Sequence, residues 1–319
     1  MLRLLRRSDA GLECPLLTDD WSLPSDAVWI DLIEPKREEE LAVEKALGLL
    51  LPTREDMAEI EASSRIYQEQ GATFLTASIL VNSDADLPSI APITFVLAGE
   101  RLITIRYGEP RAFMAYAAQT ELQKPPHPDG AVIMVGILDA VVDRVADILE
   151  RTAAEVEAVS VAIFRTPKTA GFQPIINRLG KAQMTGAKAR ESLVSLSRLV
   201  SYATITGQME MDADLLDRVK TLQRDIQSLT DHAGYLSGNV TFLLDAALGL
   251  INIEQNSIIK MFSIFTVALL PPTLIGAIYG MNFEHMPELR WMGGYPMALG
   301  LMLVSAVLPL VWFRRKGWF

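Results

Sequence analysis

An α/β domain joined to very long helices and a C-terminal pair of membrane-spanning helices is the fold this sequence predicts. Three observations carry it. Short runs rich in valine, isoleucine, threonine and phenylalanine fill the first third of the chain, as strands do. No proline interrupts the chain between Pro174 and Pro271, a freedom that long helices need. Residues 262–280 and 293–313 form charge-free stretches of nineteen and twenty-one residues. Each is close to the roughly 20 residues that cross a bilayer core as a helix.

The elements follow in order. "AVWIDLI" (27–33), "ATFLTASILV" (72–81), "APITFVLA" (91–98) and "RLITIRY" (101–107) read as strands. The last two flank Ala98, Gly99 and Glu100 and form a hairpin. Helical patterns occupy 38–50 and 110–122, so residues 1–128 group as a cytoplasmic α/β domain. After "KPPHPDG" the pattern becomes apolar and charged at helical spacing over 131–163. Gly207 in "TITGQMEMDAD" marks the break between two further helices. Asp212 or Asp214 stands where a carboxylate suits the next N-terminus. Residues 129–257 are thus long helices, and 258–319 the membrane part. The latter divides into a first span (258–280), a loop (281–292), a second span (293–313) and a basic tail (314–319).

Charges bound the setting. "MLRLLRRSDAGLECPLL" has charges where a secretory leader needs an unbroken apolar run, and Cys14 is the single cysteine. Lys260 sits at the start of the first span and Arg314, Arg315 and Lys316 follow the second, whereas the loop holds only Arg290. Both termini are therefore expected in the cytoplasm, with the loop facing out. Before residue 258 stand 37 acidic and 24 basic residues, a formal charge of −13. Such a surface repels nucleic acid and concentrates cations; it also simply keeps a domain soluble.

Steps of three and four place Asp245, Gly249, Asn252, Asn256, Ile259, Ser263, Thr266, Leu270, Thr273 and Ala277 on one helix face. Most are polar or small. Hydroxyls in a membrane helix bond their own backbone or a neighbouring helix, or such a face lines a channel between several copies of the chain. Pro271 and Pro272 remove amide donors there, which kinks a helix or gives it a flexible point. Ile259, Phe262 and Leu270 are large enough to close a pore by expelling water.

At the outer end stand Gly280, Met281 and Asn282. Gly280 suits a left-handed turn, and Met281 packs against it. Repeated around an axis, Asn282 would present a ring of neutral amide oxygens, joined by Gly280 carbonyls. Magnesium sheds its first-shell waters reluctantly. A ring that accepts hydrogen bonds from those waters recognises the hydrated ion without stripping it, and Glu284 and Glu288 would gather cations at the mouth.

"YGMNFEHMPELRW", the preceding "LPPTLIGAIYG", "INIEQNSIIK" and the tail "FRRKGWF" closely resemble the CorA family of magnesium transporters. "AVWIDLIEP" and "IEASSR" resemble its bacterial N-terminal domain. The resemblance implies a funnel-shaped homopentamer in the inner (plasma) membrane, with pore positions at Asn256, Ile259, Phe262, Leu270, Thr273, Ala277 and Asn282. It implies Mg2+ as substrate and regulatory ligand, with no organic cofactor and with cobalt and nickel as further ions. Acidic residues would sense internal Mg2+, the candidates being Asp225, Asp84 and Asp86; Asp225 equally suits a surface pair with Arg218 or Arg224. No enzyme is expected, because His127 and His232 lack nucleophile or ligand partners at informative spacing. Two positive charges crossing about 100 mV release roughly 4.6 kcal/mol, so passive flow suffices. Two alternatives stand: zinc transport as in the ZntB-like branch, with His285 beside the mouth, and a membrane-anchored sensor or scaffold without transport.

Overall fold

A computed structural model describes residues 1–8, 11–13, 24, 26–82, 85, 88–123, 129–165, 171–205, 212–282 and 286–317. The chain forms two compact units, Met1–Leu244 and Asp245–Phe319.

The first unit is built on a seven-stranded sheet. Its strands are β1 (Leu2–Ser8), β2 (Gly11–Glu13), β3 (Ala27–Ile33), β4 (Ile66–Glu69), β5 (Ala72–Val81), β6 (Ser89–Ala98) and β7 (Arg101–Arg106). In space they run β2-β1-β3-β7-β6-β5-β4. Only β3 and β7 pair in parallel; every other pair is antiparallel. The expected hairpin is present, with Ala98 opposite Arg101 and Gly99 at φ 58°.

Alternation sorts the side chains onto two faces. Leu4, Ile30, Leu32, Phe74, Val96 and Ile103 join a core with Val43 of α1 (Arg37–Leu47) and Met57 of α2 (Arg54–Ala58). The helix expected over 38–50 stops at Leu47 because Gly48 turns left-handed at φ 68°, and its N–H caps the Glu44 carbonyl at 2.8 Å. A one-turn helix, α3 (Ala62–Arg65), precedes β4.

On the other face, Trp29, Leu75, Ile79, Ile93, Phe95 and Leu102 pack under three helices. These are α4 (Arg111–Gln123), α5 (Gly130–Arg165) and α6 (Gln173–Ile205). One apolar core thus joins residues on both sides of position 128. The seventh helix, α7 (Ala213–Tyr279), opens with the expected carboxylate cap, as Asp212 Oδ1 accepts the Leu215 N–H at 2.7 Å. Cys14, His127 and Gly207 lie outside the described residues. Along α7, Leu215, Val219, Leu222, Ile226, Leu229, Ala233, Leu236, Val240 and Leu243 recur by threes and fours, all buried except Leu229, which is half-buried.

Where α4 crosses α5, Tyr116 lies against Gly136. A Cβ at position 136 would overlap the Tyr116 ring, meeting Cζ at 2.7 Å. Alanine is the better helix former by about 1 kcal/mol, yet displacing a buried ring costs about 1–3 kcal/mol. Gly136→Ala should therefore lower the melting temperature of the full-length protein in detergent, and Tyr116→Ala in the same chain should remove the clash. A melting point unchanged or raised in Gly136→Ala alone would contradict this packing.

Candidate functional site

The second unit contains the membrane part of α7 and a final helix, α8 (Gly294–Arg315). Both are long and apolar enough to span a membrane, and only 6% and 11% of their most apolar windows are buried. A helix from a soluble core would be mostly covered; these are not.

Among the described residues, the membrane part of α7 is covered on one side. Ala268 is buried, and Ile264, Pro271, Ile275, Gly276 and Tyr279 are half-buried. A Cβ on Gly276 would reach Met302 of α8 at 3.4 Å, which places α8 against this side. At 100° per residue the expected stripe falls on the opposite side. Asp245, Gly249, Asn252, Asn256, Ile259, Thr266, Leu270, Thr273 and Ala277 are exposed, with Ser263 half-buried. Phe262, at the stripe's edge, is also exposed.

The threonine hydroxyls follow the local reading of such residues. Thr266 Oγ1 donates to the Phe262 carbonyl at 2.9 Å, and Thr273 Oγ1 to those of Leu269 and Leu270 at 3.0 and 2.8 Å. Each donor is thereby used within the helix, while the hydroxyl oxygen keeps lone pairs for water. The helix continues through Pro271 and Pro272 to Tyr279.

At the end of α7 the left-handed turn expected at Gly280 is not adopted, since Gly280 is absent from the positive-φ positions. The glycine serves proximity instead. Its N–H donates to the Gly276 carbonyl at 3.0 Å, and a Cβ would lie 3.1 Å from that same oxygen. The Met281 N–H donates to Ile278 at 3.3 Å, and Met281 and Asn282 are exposed. Glu284 and His285 lie outside the described residues. Glu288 is exposed in a short 3₁₀ turn, Pro287–Arg290, and its carbonyl oxygen accepts the Trp291 N–H at 3.3 Å.

In the first unit, Asp225 lines a cleft of about 740 Å³ together with Tyr116, Asp139, Asp143, Asp217 and Arg218. Arg218 pairs with Asp139 at 2.7 Å rather than with Asp225. Burial pushes the Asp139 carboxyl above its ordinary value; Arg218 opposes this, while Asp143 and Asp225 add to it. Sequence spacing alone does not reveal this grouping, because Tyr116 belongs to α4, Asp139 and Asp143 to α5, and Asp217, Arg218 and Asp225 to α7. Asp84 and Asp86 lie outside the described residues. Among the described residues no three histidine, cysteine or carboxylate side chains converge as a metal cage.

Residues 24–315 match the model of the family described as CorA-like Mg2+ transporter protein. The magnesium transport protein CorA of Haemophilus influenzae is 32% identical over 302 residues, 95% of each chain. That of Pasteurella multocida is 34% identical over 294 residues, 92% of each. Among solved structures, the complete CorA magnesium transporter of Methanocaldococcus jannaschii superposes with a TM-score of 0.81 at 20% identity, over 100% of this chain and 99% of that one. The ZntB cytoplasmic domain of Vibrio parahaemolyticus superposes at 0.60 and 12% identity, over 78% of this chain and 97% of that one. At those identities the two structures establish a shared fold, an α/β domain with long helices, which in the first of them extends over the C-terminal hairpin as well. The family model over nearly the whole length and relatives a third identical agree: the chain belongs to the CorA-like Mg2+ transporter family.

Proposed function

We propose that this protein carries Mg2+ passively across the inner membrane, as a homopentamer whose α7 stripes face one another around a central conduit. The observation that carries this reading is the placement of the polar and small stripe opposite α8, uncovered by its own chain. Left against lipid, the Thr266 and Thr273 hydroxyl oxygens would lose their water partners; copies around an axis return those partners by enclosing water. The curated relatives bear the name of magnesium transport proteins, which supports the choice of ion.

In this reading Gly280, Met281 and Asn282 form the selective ring, and Glu284 and Glu288 draw cations to it from outside. Ile259, Phe262 and Leu270 form the closing constriction, which shuts by dewetting. Both termini lie in the cytoplasm, where Asp225, with Asp84 and Asp86, senses internal Mg2+. Cobalt and nickel share magnesium's preference for a hydrated shell and follow the same route.

Flux into proteoliposomes with internal Mg2+ varied tests transport and feedback together. The parent is expected to conduct Mg2+ and to close as internal Mg2+ rises, and Asp225→Asn should shift half-closure upward by roughly tenfold, the factor that 1.4 kcal/mol gives. Unchanged feedback removes Asp225 from the sensor. A correctly assembled oligomer without Mg2+ flux would overturn the reading, and zinc outcompeting magnesium in the same vesicles would reassign the ion.

A further inference from the structure

The side of α8 away from α7 holds a groove of about 470 Å³, lined by Leu303, Val304, Val307, Leu308, Val311 and Trp312, with Arg315 at one end. The chain leaves these side chains uncovered: Leu303 is 67% exposed and Leu308 63%. From position 303 to 315 a helix rises about 18 Å, a little more than half of the roughly 30 Å hydrocarbon core. The groove is therefore about one leaflet deep. Its apolar wall suits an acyl chain of any phospholipid, so discrimination has to come from its polar end.

That end is wholly basic. Arg314, Arg315 and Lys316 are consecutive, and no acidic residue follows Glu288 in the sequence. The Lys316 ammonium sits 5.0 Å over the Trp312 ring, and Arg315 is the basic residue that lines the groove. Tryptophan belongs at the headgroup level, and Arg presents a planar fork that fits phosphate oxygens.

We propose that this groove holds an anionic phospholipid of the leaflet nearest the C-terminus, one acyl chain along Leu303 to Val311 and its phosphodiester against Arg315. The site needs α8 to span the membrane and is independent of which ion the protein carries.

Full-length protein in phosphatidylcholine vesicles, doped with either brominated phosphatidylglycerol or brominated phosphatidylcholine, tests it. Bromine quenches nearby tryptophan, and the difference between the parent and Trp312→Phe isolates the groove's own signal. Phosphatidylglycerol should quench at about fivefold lower mole fraction than phosphatidylcholine, the factor one basic side chain near an anionic surface supplies. Arg315→Gln should bring that ratio near one, whereas Arg315→Lys retains most of it and Arg314→Gln, off the groove, leaves it in place. Equal quenching by both lipids in the parent overturns the proposal, as would a second copy of the chain seated in the groove and shielding Trp312 from both. Equal losses in Arg315→Gln and Arg314→Gln would also overturn it, because they would mean a diffuse basic tail and no site. The readout is quenching, so absence of Mg2+ flux leaves this result standing.

Discussion

Asn282→Ala should abolish most Mg2+ flux into proteoliposomes while leaving the oligomer intact on size-exclusion chromatography. The side chain is exposed two residues beyond the Gly280 turn, so its removal disturbs no packing within the chain. In the proposed ring it removes an amide oxygen that would accept a hydrogen bond from water in the first shell of a dication. Such a bond to a charged group contributes about 1.5–3 kcal/mol, and 1.4 kcal/mol is a factor of ten. A fall of at least about tenfold is expected, larger if several copies act together. Asn282→Asp separates recognition from conduction: a carboxylate at the same point should bind the ion more tightly and release it more slowly, so flux falls while apparent affinity rises. Parent-like flux in Asn282→Ala would sink the amide-ring account and leave the stripe as the sole determinant of passage.

The sequence made the stripe legible because a regular helix preserves periodicity across many turns, whatever surrounds it. It also made four strands legible, since "AVWIDLI" and its counterparts are long and rich in β-branched residues. β1 was opaque for a physical reason. Leu2 and Leu4 alternate with Arg3, but the register shifts between Leu5 and Arg6, and the bulge breaks the period of two on which the reading depends. β4 has only four residues, Ile66–Glu69, too few to show alternation against a helical background. Gly280 misled in a different way: glycine serves both left-handed turns and close approach, and only the 3.1 Å distance to the Gly276 oxygen distinguishes them here. The carboxylates around Asp225 come from helices far apart in the chain, so their meeting depends on packing that no local pattern encodes.

Asp31→Ala should cost about 3–5 kcal/mol, as removal of one member of a buried ion pair does. Asp31 and Arg106 have side chains 2% and 3% exposed and meet at 2.9 Å across the parallel pair β3–β7. The network around them is closed. Thr104 Oγ1 donates to Asp31 Oδ1 at 2.7 Å, and Trp29 Nε1 donates to Thr104 Oγ1 at 2.9 Å. Arg106 also donates to the Gly108 carbonyl at 2.9 Å and carries its guanidinium 5.1 Å from the Phe113 ring centre. Alanine at 31 leaves that guanidinium desolvated with no counter-charge, a larger penalty than the attraction it removes. At about 2–4 °C per kcal/mol for 150–250 residues, the melting temperature of the full-length protein should fall by roughly 10 °C. Asp31→Leu with Arg106→Met in one chain should lose less than the two single changes added, because no charge is then stranded, although the Gly108 carbonyl still loses a donor. A fall under about 2 °C in Asp31→Ala would mean that water reaches Arg106, for a screened guanidinium needs no partner. The "WID" of the first long strand is thus bound to the sheet's centre by polar contacts, with Trp29 and Asp31 on the face beneath α4 and Ile30 in the opposite core.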